Sequence, residues 1–231
     1  MSTSIAMIET VARHLGEMRE EVVFVGGAVT ELLISDPAVR EIRPTTDVDL
    51  IIDIATAGAY ARLEERLRAK GFVNMVGPDV PICRWRVGEV VADVMPTLPD
   101  ILGFSNRWYS SAVRDSSRNR LPSGTVIQLV RPTYFIATKI EAFLGRGNGD
   151  YLMSHDIEDV ITLIDGRPEL ANELTNAPAD VQHLVRSHMG RFLLDNEFRT
   201  AVLGYLPTDA IGQARFNTIL ERVGRLGPLD T

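Results

Sequence analysis

The chain predicts an α/β (α+β) architecture, a mixed sheet over residues 1–131 followed by a helical portion over residues 132–231. Three observations carry this. Short β-rich runs alternate with amphipathic helical stretches up to about residue 72, a strand-like meander fills residues 72–96, and from Pro132 onward the chain reads as helix.

Each element has its own signal. Ile5, Ile8, Val11, Ala12 and Leu15 form one stripe of a helix running to about Arg19. Val22–Val25 is an uninterrupted apolar strand, closed by Gly26-Gly27, and a helix follows from Ala28 to Ile34. That helix must end before Pro37, because proline disfavours helical geometry in its predecessor. Asp47–Ile52 is the next strand. Ala57–Lys70 is rich in Ala, Leu, Glu and Arg, and Gly71 ends it. Val87-Gly88-Glu89-Val90 reads as a hairpin turn leading into Val90–Met95, a β-rich run carrying one acid, Asp93. Arg107–Val113 reads as a short helix and Thr125–Val130 as a strand. The short connection Val130-Arg131-Pro132 implies a helical part that packs tightly and completes a catalytic cleft.

The chemistry concentrates at Asp47 and Asp49. Strand side chains alternate faces, so the two carboxylates project together, and neither has a basic neighbour in sequence. A divalent cation relieves their repulsion most simply, and Mg²⁺ prefers a few carboxylates plus phosphate oxygens. The alternative is a structural pair, capping a turn or meeting an arginine such as Arg40 or Arg43. Asp93 is the third carboxylate candidate, since an unpaired charge in an apolar run is costly and a two-metal site needs a further ligand. Asp53 shares the parity of the pair but reads as a helix cap. Gly26 and Gly27 allow a backbone turn to approach a triphosphate, and Thr30 adds a hydroxyl one turn later. Lys139 lies beside the stripe Ile136, Ile140 and Phe143, so it must snorkel or meet an anion such as a triphosphate. Ser154 reads as the N-cap of a helix whose first turn holds Asp156, Glu158 and Asp159. His155 reads as a surface residue, and Arg146, in a glycine-rich loop, as a phosphate contact or a solvated side chain. Trp85, Trp108 and Tyr109 could stack a base, but core or cleft packing is the default reading for isolated aromatics.

Val25-Gly26-Gly27 followed by Asp47-Val48-Asp49 resembles the signature of the polymerase β nucleotidyltransferase superfamily. The long gap between the halves, with Ser35-Asp36-Pro37 inside it, resembles the AbiEii/AbiGii toxin-type nucleotidyltransferases. So does the block from Ala137 through Lys139 to Phe143, with Arg146 and His155-Asp156-Ile157-Glu158-Asp159. The resemblance spans residues 20–166. It implies transfer of a nucleoside monophosphate from an NTP to an acceptor hydroxyl, with Mg²⁺ (or Mn²⁺) on Asp47, Asp49 and Asp93. It also puts a functional lysine at Lys139 and implies that Asp156 positions Lys139 or substrate, and Gly26, Gly27 and Lys139 are then expected to hold the triphosphate. A toxin-like role follows from it, with an RNA acceptor such as a tRNA 3′ end and a cognate antitoxin. A protein hydroxyl or a small molecule stays open as acceptor. A catalytically idle nucleotide-binding module and an antitoxin-type interaction protein stay open as functions.

Composition excludes several classes. At 231 residues and a net charge of −7, the chain has room for a real core and is no general nucleic-acid coat. Arg114, Arg118, Arg120 and Arg131 form the one basic stretch, read as a local basic cleft or a solvated loop. No apolar run reaches the roughly 20 residues of a membrane helix. The start Met1-Ser2-Thr3-Ser4 lacks a signal-peptide pattern, and the lone Cys83 forms neither an internal disulfide nor a zinc cluster, so the expectation is a cytoplasmic protein.

Overall fold

Val22, Val23, Phe24 and Val25 carry no polar side chain and all four are buried, which makes β1 (Val22–Val25) a strand covered on both faces. Around it lies a seven-stranded mixed sheet in the order β3-β4-β5-β2-β1-β7-β6. Its other strands are β2 (Asp47–Ile52), β3 (Val73–Asn74), β4 (Arg84–Val87), β5 (Val90–Pro96), β6 (Ser117–Arg120) and β7 (Val126–Leu129). β2 runs antiparallel to β1 and parallel to β5, β1 runs parallel to β7, and β4 and β5 form an antiparallel hairpin. The computed structural model describes residues 2–36, 42–54, 56–98 and 106–227. These fall into two compact units, Met1–Glu31 with Pro44–Arg131, and Leu32–Arg43 with Pro132–Thr231.

In the sheet unit the Thr3–Leu15 helix buries Ile5, Ile8, Val11, Ala12 and Leu15 against β2 and β5. It ends at Leu15, short of the expected Arg19. Gly16 adopts φ 59°, and Gly16–Glu20 continues as a 3₁₀ turn. The stretch after the glycine pair likewise starts as a 3₁₀ turn, Gly27–Val29, before the short helix Thr30–Leu33, and Pro37 lies outside the described residues. Thr56, not Asp53, caps the Ala57–Ala69 helix, its hydroxyl accepting from the Ala59 amide at 3.1 Å. Asp53 instead accepts from the Thr97 hydroxyl at 3.0 Å. The basic stretch is not a loop. Arg118 and Arg120 lie on edge strand β6, alternating with Ser117 and Asn119 and both exposed. Arg131 meets Asp115 at 3.0 Å. Trp85 and Trp108 are buried, as packing residues should be.

The helical unit comprises Pro132–Arg146, His155–Gly166, Leu170–Thr175, Ala179–Leu194, Asn196–Gly204 and Ala210–Leu226. Its core holds an aromatic cluster in which Phe143 stacks on Tyr151 at 5.1 Å, and Phe192 stacks on Phe198 at 5.0 Å. Segment 32–36 joins this unit through its backbone. The Ser35 and Asp36 amides both donate to the Gly166 carbonyl, at 2.9 and 3.0 Å. Arg167 donates to the Leu33 carbonyl at 2.6 Å while a guanidinium fork holds Glu173 at 2.7 and 2.6 Å. No helix among the described residues is long and apolar enough to cross a membrane.

Arg167 is therefore expected to clamp this segment. Arg167→Met should raise amide exchange at Ser35 and Asp36 by about tenfold, the size of one lost charge-assisted contact, and leave β1 and β2 unchanged. Native-state hydrogen exchange reads this directly, and equal protection in both proteins would show that the clamp is dispensable.

Candidate active site

Strand register assembles the site in the sheet unit. Val25 of β1 lies opposite Asp49 of β2, Asp49 lies opposite Asp93 of β5, and Asp93 lies opposite Arg84 of β4. These four residues form one row across four strands, so their side chains share a face. Asp47, two residues before Asp49, projects on the same face. The like charges of Asp49 and Asp93 stand on neighbouring strands, whose backbones are about 4.8 Å apart.

The counter-charge comes from a residue that sequence reasoning missed. The Arg84 guanidinium grips Asp93 with Nε on Oδ1 at 2.8 Å and Nη2 on Oδ2 at 2.7 Å, and Nη2 also reaches Asp47 Oδ2 at 3.1 Å. The hydrogen bonds to Asp93 are the chief reason the guanidinium holds its proton still more firmly than usual. Arg84 was visible in principle. Counting four residues outward from Gly88 and from Glu89 pairs Arg84 with Asp93. The arginine suggested from sequence is elsewhere. Arg43 lies 3.4 Å from both Glu158 and Asp159 in the helical unit, and Arg40 is outside the described residues.

Gly26 has a specific reason to be glycine. Its φ is +72°, and a Cβ there would fall 1.8 Å from Asp49 Oδ2. The space a Cβ would fill at Gly26 is thus taken by the Asp49 carboxylate. Thr30 is fully buried, and its hydroxyl has no hydrogen-bond partner among the described residues. Cys83, the residue before Arg84, is buried, and burial first, with Asp93 second, pushes its thiol up to about 12.

Three carboxylates on one sheet face are hard oxygen donors suited to Mg²⁺ or Mn²⁺, and the strand register brings their backbones together. The side-chain arrangement does not hold an ion ready, however. Among the described residues no three His, Cys, Asp or Glu groups are placed to bind a metal ion. Arg84 engages the oxygens that such an ion would need on Asp47 and Asp93.

Lys139, Arg146 and Asp156 gather in the helical unit. Ser154 caps the His155–Gly166 helix as its sequence suggests, and His155 is exposed. Lys139 Nζ reaches Asp159 Oδ2 at 2.6 Å and Asp156 Oδ1 at 3.2 Å, with all three residues buried. The anion that this lysine meets is therefore carboxylate, and a phosphate recruited there would compete with two acids. Arg146 adds a fork onto Asp156, at 2.9 and 3.0 Å. Burial disfavours the Asp156 charge, but Arg146 and Lys139 outweigh it and hold the carboxyl below its usual range.

No protein-family model matches the chain, and no curated protein does. Solved structures similar to it include the following three. An antigenic nucleotidyltransferase-like protein from Paracoccidioides brasiliensis shares 19% identity over 93% of this chain and 92% of its own, with a TM-score of 0.48. The solution structure of the antibiotic-resistance factor ANT(2'')-Ia shares 16% identity over 83% of this chain and 94% of its own, with a TM-score of 0.47. The crystal structure of ANT(2'')-Ia in complex with adenylyl-2''-tobramycin shares 14% identity over 83% of this chain and 99% of its own, with a TM-score of 0.45. These likenesses are too distant to assign an activity.

The Asp156 cluster has a pH signature. A depressed folded pKa contributes stability that is present above the unfolded aspartate value, about 3.9, and is lost as pH falls through the folded value. Asp156→Asn should flatten this acid limb. It should also cost roughly 2–3 kcal/mol at neutral pH, less than a fully orphaned buried charge, because Asp159 still pairs with Lys139. Urea melts of both proteins between about pH 3 and pH 7 test this, and parallel stability profiles would remove the ion pair from the acid response.

Proposed function

We propose that the protein is a nucleotidyltransferase that moves a nucleoside monophosphate from an NTP to an acceptor hydroxyl. One observation carries the reading. Asp49 and Asp93 are register partners on adjacent parallel strands, with Asp47 on the same face and a positive-φ glycine turn beside them. A structural sheet gains nothing from three acids in that position, since like charges on neighbouring strands repel. A site for a divalent cation and a polyphosphate does.

In this reading Asp47, Asp49 and Asp93 would hold Mg²⁺ or Mn²⁺, which supplies Lewis-acid stabilisation of the phosphoryl oxygens. The chain's own residues do the rest. Gly26 lets the Asp49 carboxylate sit tight against the turn that leads into the Gly27–Val29 backbone. The amides at that turn can donate to phosphate oxygens. Asp93, on the strand next to the Asp47–Asp49 pair, would complete the site and assist removal of the acceptor proton. The acceptor class is RNA, such as a tRNA 3′ end. That choice rests on the sequence resemblance to toxin-type enzymes, as does the cognate antitoxin, and the exposed arginines of β6 accord with a polyanionic acceptor.

A second reading has its own observation. Arg84 already neutralises Asp47 and Asp93, which suits a nucleotide-binding module without turnover. Labelled NTPs incubated with Mg²⁺ and with total RNA, protein or a panel of small hydroxyl acceptors separate the two. Transfer of label to RNA, lost in Asp49→Asn with the circular dichroism spectrum unchanged, is the expected result. NTP binding by calorimetry without label transfer to any acceptor would select the idle module.

A further inference from the structure

Arg84 holds the very oxygens that the proposed reaction requires. Its three hydrogen bonds, at 2.7, 2.8 and 3.1 Å, fall on both oxygens of Asp93 and one of Asp47. The placement is not a chance of side-chain rotation, because backbone pairing sets Arg84 directly opposite Asp93 in the β4–β5 hairpin. We propose that Arg84 is an internal counter-cation that a divalent ion must displace from Asp93 and Asp47, so that this one residue sets the metal affinity of the site. The inference rests on the reading of the carboxylate row as a cation site.

The physical case has three parts. A planar guanidinium bound bidentately to a carboxylate satisfies both charge and lone-pair geometry, so the acids are stable in their positions without metal. A +2 ion at the same oxygens repels the +1 guanidinium as well as competing with it, so the two cannot share the acids. Departure is also open to Arg84. Its side chain is 30% exposed and its three-methylene stem rotates without breaking a sheet hydrogen bond, whereas Asp93 is only 11% exposed and stays. The metal-free enzyme therefore keeps its carboxylates ordered by a ligand that belongs to the chain. Arg84 acts on the reaction through Asp47 and Asp93 and is a positioning residue, not a catalytic one.

The test uses the full chain and Mn²⁺ alone, with free Mn²⁺ read by electron paramagnetic resonance and the melting temperature followed in parallel. Arg84→Met should bind Mn²⁺ about tenfold or more tightly than the wild type, the equivalent of losing one charge-assisted competitor. It should melt lower without metal and regain more on adding Mn²⁺. Arg84→Lys keeps the charge but not the fork, so it should bind with intermediate affinity, and it guards against an Arg84→Met protein that fails to fold. Equal Mn²⁺ affinity in wild type and Arg84→Lys, or in all three proteins, would overturn the displacement while leaving the cation site standing. Absence of Mn²⁺ binding in all three proteins would overturn both the cation site and this inference.

Discussion

Like charges placed side by side on neighbouring strands must be neutralised, and much of the sheet unit answers that constraint. Asp49 and Asp93 face each other across the β2–β5 pairing, with Asp47 one step along. Water alone is a poor remedy where one of the acids is buried. The chain's remedy is Arg84, placed on the next strand at the same level of the sheet. The hairpin turn that sets this register is thus as much a part of the site as the acids. A slip of one residue would turn Arg84 to the opposite face and bring Trp85, now fully buried, onto the acid face.

The glycine turn serves the same constraint from the other side. Gly26 is needed less for freedom of the loop than for the absence of a Cβ where Asp49 lies. The carboxylate is thereby confined between the turn and the next strand. Backbone geometry at Gly26, register between β2 and β5, and the guanidinium of Arg84 jointly define where the acids point. Each of these is a separate physical cause, so each can be altered without the others.

The helical unit solves a similar problem differently. Lys139, buried on the Pro132–Arg146 helix, is paired with two acids, Asp156 and Asp159, three residues apart on the His155–Gly166 helix. Helical spacing of three puts both acids on one face, and Arg146 and Arg43 complete the balance from the outside. The cluster ties two helices and Arg43 together within its own unit, which gives these charged residues a structural role whatever ligand they meet.

Local pattern was enough for much of this. The strands Val22–Val25 and Asp47–Ile52, the 88–89 turn and the shared face of Asp47 and Asp49 follow from alternation and turn chemistry within a few residues. The helical character after Pro132 follows from the 3.6 period. The early end of the first helix, the Thr56 cap and the edge strand carrying Arg118 and Arg120 escaped that logic. Caps and 3₁₀ turns are decided by single backbone angles, and a short polar edge strand has no apolar face to announce it. Only tertiary structure decided the partners of the charges. Asp93 lies 44 residues from Asp49 in sequence yet beside it in the sheet, and Arg84 enters because strand order puts β5 between β2 and β4. Alternation tells which way a side chain points, whereas strand order and register tell what it meets, and both depend on contacts made far along the chain.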